Sequence, residues 1–201
     1  HGGEGKEGGE GEGEGGGGGE VRVRGAFAYS PQTYWITNAS LKENILFGDV
    51  FDAARFAAVV DACALDTDIA DMPAGAETEI GERGINVSGG QKARIQLARA
   101  SYAGADVLLL DDPLSAVDAH VARRLMDQCI TELLRGKTRI LVTHQVQFLE
   151  AADRVCVMEE GRIIAIGTLQ EVKAKCGDFL ERVRAPETSQ EDESPAADPP
   201  E

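Results

Sequence analysis

Four apolar residues run straight into two acids at Val107-Leu108-Leu109-Leu110-Asp111-Asp112, and this segment constrains the chain more than any other. An unbroken apolar run of that length reads as a buried parallel strand. Ligands of open α/β sheets gather beyond the C-terminal ends of such strands, so carboxylates emerging there suit a bound Mg²⁺. A helix length upstream stands Val87-Ser88-Gly89-Gly90-Gln91. Ser88 caps a predicted helix that runs to about Tyr102, and Ser88 and Gln91 flank a glycine pair at its start. Free N–H groups and the positive dipole end favour an anion there. An anion site and a cation site in this order imply a triphosphate.

The rest of the pattern is that of an α/β chain. Val21–Tyr29 alternates enough for a strand and ends in the turn signal Ser30-Pro31-Gln32, which puts Gln32 at a strand exit. Asp52 through Ala64 reads as a helix with Asp52 as N-cap and Phe56, Val59, Val60 and Cys63 on one face. From about Asn38 to Tyr102 the pattern is helical, with no clear strand. Beyond the two acids, Val121, Leu125, Cys129, Ile130, Leu133 and Leu134 recur at helical spacing, and Gly136 stops the run. Arg139–Thr143 is a short strand leading to His144. Val155–Met158 and Arg162–Ile166 flank Glu159-Glu160-Gly161 as a hairpin, and Leu169–Val183 is a closing helix. Strands alternating with helices predict a parallel core.

Two stretches should not fold. Residues 1–19 are almost wholly Gly and Glu and 186–201 are Pro, Ser and acid, so neither has an apolar face to offset the entropy of ordering. They read as a disordered arm and an acidic, Pro-rich linker or tail. These ends together with Glu20 hold 12 of the 35 acids, and without them the formal charge moves from −15 to about −4. No basic patch is left to neutralise phosphates, which argues against a nucleic-acid partner. No apolar run reaches transmembrane length and no signal segment opens the chain, so this stretch is expected to be soluble. Cys63, Cys129, Cys156 and Cys176 lie far apart without a Cys-x-x-Cys pair, which fits inert reduced thiols better than a disulfide frame or zinc site. The first residue is His rather than Met, and a fragment or processed chain is expected.

Taken together, these motifs resemble the nucleotide-binding domain of an ATP-binding cassette (ABC) transporter over roughly Val21 to Arg184. Val87–Gln91 is similar to the Leu-Ser-Gly-Gly-Gln signature of that family and Val107–Asp112 to its Walker B strand. Glu43-Asn44-Ile45-Leu46-Phe47-Gly48, Thr78-Glu79-Ile80-Gly81-Glu82-Arg83-Gly84 and the run Asp111 to His120 resemble the first cassette of a C-subfamily, multidrug-resistance-associated exporter. The resemblance implies an α/β fold, a P-loop NTPase-like ABC ATPase core with an inserted α-helical subdomain at about 38–104. The domain would be partial, N-terminally truncated, and span 20–185. It implies ATP and Mg²⁺ as cofactors, with Asp111 and Gln32 toward the metal and Asp112 in the general-base position that is usually Glu. His144 resembles the switch histidine that contacts the γ-phosphate. Ser88, Gly89, Gly90, Gln91 and Asp118 resemble residues that serve nucleotide across a cassette dimer. The implied partners are a second nucleotide-binding domain and transmembrane domains, whose cytoplasmic helix ends Glu82 would touch. The implied location is the cytoplasmic face of a membrane, within an integral membrane transporter.

Each motif alone has a plainer reading: Asp111-Asp112 as acids capping a turn, His144 as a surface histidine, Glu82 as an exposed loop acid. Their joint order and spacing favour the functional one. The family's Gly-x-x-x-x-Gly-Lys-Ser/Thr loop and its adenine-stacking aromatic are not among these residues; Gly5-Lys6 is followed by Glu7 and follows no strand. The isolated chain is therefore expected to be inactive, with its signature still able to serve a partner. A non-catalytic regulatory half-site is the alternative reading. A soluble ABC ATPase acting on DNA or ribosomes is disfavoured by the absence of heptads and basic patches.

Overall fold

The computed structural model describes residues 22, 24–82 and 84–184; the Gly/Glu arm, the acidic tail, Val21 and Val23 lie outside them. In chain order the elements are β1 (Phe27–Ser30), β2 (Ala39–Ser40), α1 (Leu41–Leu46), α2 (Ala53–Ala62), α3 (Asp66–Asp71), β3 (Glu79–Ile80) and α4 (Gly89–Tyr102). They continue with β4 (Val107–Asp111), α5 (Ala119–Arg124), β5 (Thr138–Val142), β6 (Val155–Glu159), β7 (Arg162–Gly167) and α6 (Leu169–Arg184). A π-helical stretch, Leu125–Leu133, prolongs α5.

The apolar run ending in two acids is the central strand. β4 pairs in parallel with β1 on one side and β5 on the other, with Tyr29 and Ile140 both opposite Leu109 and Val142 opposite Asp111. Period-two alternation divides the sheet into two faces. Ala28, Ser30, Leu108 and Leu110 point inward, where Ile95, Leu97, Leu114, Leu125 and Cys129 belong to the same buried cluster as the two leucines. Phe27, Tyr29, Ile140 and Val142 point the other way and are exposed. Among the described residues the sheet is thus covered on one face, although parallel sheets ordinarily carry helices on both.

The helical predictions hold with three refinements, the first being that the closing helix α6 is interrupted at Cys176, whose φ of −136° and ψ of 31° are not helical. Asp52 caps α2 through Arg55 N–H, and Ser88 caps α4 in a capping box with Gln91. Within the segment expected to lack strands, β2 and β3 form a short antiparallel pair, too brief to leave a periodic signal. Past Arg124 the predicted α-helix loosens to i→i+5 bonding, as in Leu134 N–H to the Cys129 carbonyl at 3.1 Å. The hairpin turn Glu160-Gly161 takes positive φ at both residues, and β6, β7 and α6 close a satellite core of Val155, Val157, Ala165 and Val172.

Candidate nucleotide site

The ends of β4 and β5 bring the predicted acids and histidine together. Asp111 finishes β4 on the open face of the sheet, where the Tyr29 hydroxyl donates to its Oδ2 at 3.3 Å. Partial desolvation and that carboxylate raise the Tyr29 phenol above its usual value. Asp112 turns the opposite way. Its φ of +47° lies in the left-handed region, and its N–H still bonds the Val142 carbonyl at 2.9 Å. This kink buries the Asp112 carboxylate while Asp111 stays half-exposed. Asp112 Oδ2 lies 3.2 Å from His144 Nδ1, and Oδ1 is buried with no hydrogen-bond partner. His144 is otherwise exposed.

Gln32 is exposed in the loop after β1, and two residues that sequence reasoning missed hold that loop. Gln96 of α4 is buried; its amide donates to Ser30 Oγ and the Pro31 carbonyl and accepts from Trp35 N–H. The Tyr34 hydroxyl reaches the Asp112 carbonyl at 3.3 Å and Ser115 Oγ at 2.9 Å, tying the Gln32 loop to the turn after the two acids. A lone glutamine between Ile95 and Leu97 was the available signal, since a polar group in an apolar helix segment needs built partners.

The signature forms a second group. Ser88 Oγ accepts from Gln91 N–H at 3.2 Å, and Gln91 Oε1 accepts from Ser88 N–H at 2.8 Å. The other end of the Gln91 amide donates to Asp68, which also pairs with Arg94. Gln91 therefore positions α4 from inside the protein and is not turned toward a ligand in this conformation. Ser88 and Gly89 are exposed, and an added Cβ at Gly89 would meet nothing. At Gly90 an added Cβ would lie 3.2 Å from the Ala116 carbonyl, so the helix start packs closely on the 115–118 loop. Asp118 ends that loop as N-cap of α5, accepting from His120 and Val121 N–H at 3.0 Å each. The Val121 N–H foremost, then that of His120, holds the Asp118 carboxyl below its usual range.

The segments that narrowed the resemblance have structural reasons as well. Glu43 closes a capping box with Ser40, and buried Asn44 bonds Thr37, Ala39 and Ser40. Arg99 donates to the Asn44 carbonyl and stacks on Trp35 and Phe47; burial lowers its pKa to about 10. Glu82 is exposed, with its N–H on Asn38 Oδ1; Arg83 lies outside the described residues.

An α/β sheet carrying two acids at a central strand end, beside a capped glycine-pair helix, is the frame of a nucleotide-handling domain. The ABC transporter family model matches residues 18–115. ABC-type transporter cicA of Emericella nidulans is 54% identical over 152 residues, 76% of this chain and 11% of that protein. Multidrug resistance protein mrp-7 of Caenorhabditis elegans is 52% identical over 170 residues, 82% of this chain and 11% of that protein. ATP-binding cassette sub-family C member 2 of Homo sapiens is 47% identical over 166 residues, with the same two shares. The chain belongs to the ABC transporter family, as a nucleotide-binding domain of the C-subfamily, multidrug-resistance-associated kind. It spans about a tenth of the length of the curated relatives it matches. Among the described residues no helix is long and apolar enough to cross a membrane.

Proposed function

We propose that the chain is part of a first-cassette ATPase domain in an exporter that couples ATP binding and hydrolysis to solute transport across a membrane. The observation that carries this reading is the Asp112 carboxylate, with one oxygen against His144 and the other buried and unpartnered beside a second acid. An unsatisfied buried acceptor costs about 1–3 kcal/mol, and a water held for in-line attack would relieve it. The donor set fits Mg·ATP. Asp111 offers a hard oxygen ligand held only by Tyr29 among the contacts described, and exposed Gln32 can complete a shell. Mg²⁺ is held by one or two carboxylates together with phosphates and waters, which Asp111 with a bound triphosphate would supply.

When bound, Mg·ATP supplies an activated terminal phosphoryl group. With it bound, Asp112 would accept a hydrogen bond from the attacking water, and His144, whose Nδ1 holds that carboxylate, would have its other ring nitrogen left for phosphate. Ser88, Gly89 and Gly90 present hydroxyl and N–H donors to a phosphate held by a second nucleotide-binding domain. The transmembrane domains are the other partner. Glu82 is available to them, and so are the exposed, mutually packed rings of Trp35 and Phe47. The location that follows is the cytoplasmic face of a membrane. Asp112, one methylene shorter than the usual Glu, favours a second reading in which this is a slow or regulatory half-site.

Mixing the chain with an intact C-subfamily second cassette tests the proposal. Its ATPase rate should rise, and Ser88→Arg should remove the gain; no stimulation by folded wild-type chain would count against it. The chain alone should bind Mg·ATP weakly in a calorimetric titration. Micromolar affinity there would show that this chain supplies more of the site than the motifs named above.

A further inference from the structure

Cys63 and Cys129 are 66 positions apart in sequence, yet their Sγ atoms lie 3.6 Å apart in the core. Both are fully buried, whereas Cys156 is exposed and Cys176 half-exposed. Cys63 ends α2, and Cys129 sits within the π-helical stretch, its carbonyl taking the i→i+5 bond from Leu134. π-Helical turns within α-helices occur frequently at functional sites. Ser101 of α4 completes the group, with Oγ 3.3 Å from Cys129 Sγ and 2.8 Å from the Leu97 carbonyl to which it donates. The hydrogen bond from Cys63 pushes its own thiol well up and draws Cys129 down, so Cys129 is the sulfur that ionises first. A cleft of about 290 Å³ lies between α2, α4 and the end of the π stretch, lined in part by Val59, Ser101 and Leu133. Ser101 thus lies between that cleft and Cys129.

We propose that Cys63 and Cys129 are a modification site, joined by a peroxide-class oxidant into a disulfide that ties α2 to the π-helical stretch. The Cys129 thiolate attacks a peroxide oxygen, the O–O bond breaks, and a sulfenic acid forms as hydroxide leaves to be protonated to water. The Cys63 sulfur then attacks the sulfenic sulfur. The S–S bond forms, the S–O bond breaks, and the second water leaves with the Cys63 proton; two thiols are oxidised and one peroxide is reduced to two waters. The sulfurs need to approach by only about 1.5 Å to reach bonding distance. The loop so closed contains Ser88, Asp111, Asp112 and Asp118, so oxidation would fix both ends of the segment that carries them.

The test uses the full 201-residue chain carrying Cys156→Ser and Cys176→Ser, treated natively with hydrogen peroxide and mapped by peptide mass spectrometry. The expected product is a monomer 2 Da lighter, with the Cys63 and Cys129 peptides linked, restored by dithiothreitol, and melting several degrees higher than the reduced form. In Cys63→Ser, Cys129 should instead gain 16 or 32 Da. Because that variant alters the core, the wild-type pair carries the decision. Free thiols that survive peroxide in the folded chain, a Cys129 oxygen adduct without the link, or only intermolecular dimers would each overturn the proposal.

Discussion

Helix α4 and the outer face of the sheet are built from similar apolar residues under opposite conditions. From Ile95 to Tyr102 every residue of α4 is buried, and the polar ones have built partners, Gln96 in the Gln32 loop, Arg99 in Asn44 and Ser101 in Leu97, with Arg99 Nη1 alone of these groups' atoms buried and unpartnered. Across the sheet, Phe27, Tyr29, Ile140 and Val142 are each more than half exposed. Lone exposed apolar residues are ordinary, but four on one face of a parallel sheet are a surface made to be covered. The difference teaches that α4 is packed within the described residues, whereas the outer face of the sheet beside Asp111 has no apolar cover among them.

Paired substitutions would break that comparison most directly. Leu97→Ala removes a fully buried side chain and should cost about 3 kcal/mol in urea unfolding. Ile140→Ser on the outer face should change stability by no more than about 0.5 kcal/mol in the same assay. Equal losses would mean that the outer face is already packed. Gln96→Leu should come next, at about 1–3 kcal/mol, because it strands Trp35 N–H and the Pro31 carbonyl. Amide exchange around residues 31–35 should quicken with it; unchanged protection there would remove Gln96 as the loop's anchor.

Local signals were legible in the sequence where one residue dictates its own geometry. Ser88 and Asp52 announced helix starts, Gly136 a stop, and Val107–Leu110 the central strand, because caps and apolar runs act within a few residues. Pairings across sequence were not legible. Nothing in Tyr34 or Gln96 states that they bind the Gln32 loop, and cysteines read as widely separated meet in the core. The π-helical stretch was hidden because its apolar spacing is also that of an α-helix. Gln91 shows the remaining weakness, since a signature residue expected toward nucleotide has both ends of its amide spent on Ser88 and Asp68.

A subtler comparison lies between the two neighbouring acids. Asp112→Glu in an assembled transporter, with its other site disabled, should raise single-turnover hydrolysis several-fold by moving the carboxylate toward the water. The fold should weaken slightly, because a longer side chain tolerates φ near +47° less well than Asp. Asp111→Asn should weaken Mg·ATP engagement instead. An unchanged or slower rate for Asp112→Glu, with folding and affinity intact, would mean that reach does not limit this site.

The smallest effect expected is at Asp118, the N-cap of α5 that ends the 115–118 loop. The Val121 N–H, with that of His120, stabilises the ionised carboxylate in the folded chain, so its folded pKa lies below the ordinary Asp value of about 3.9. A depressed carboxylate contributes stability above the unfolded pKa and loses it as pH falls through the folded value. Asp118→Asn keeps a capping oxygen but removes the charge and its titration. Wild type should therefore melt slightly above Asp118→Asn at pH 7, and the gap should shrink steadily between about pH 5 and pH 3. A gap constant across that range would show that hydrogen-bond geometry, with no contribution from charge, sets the start of α5.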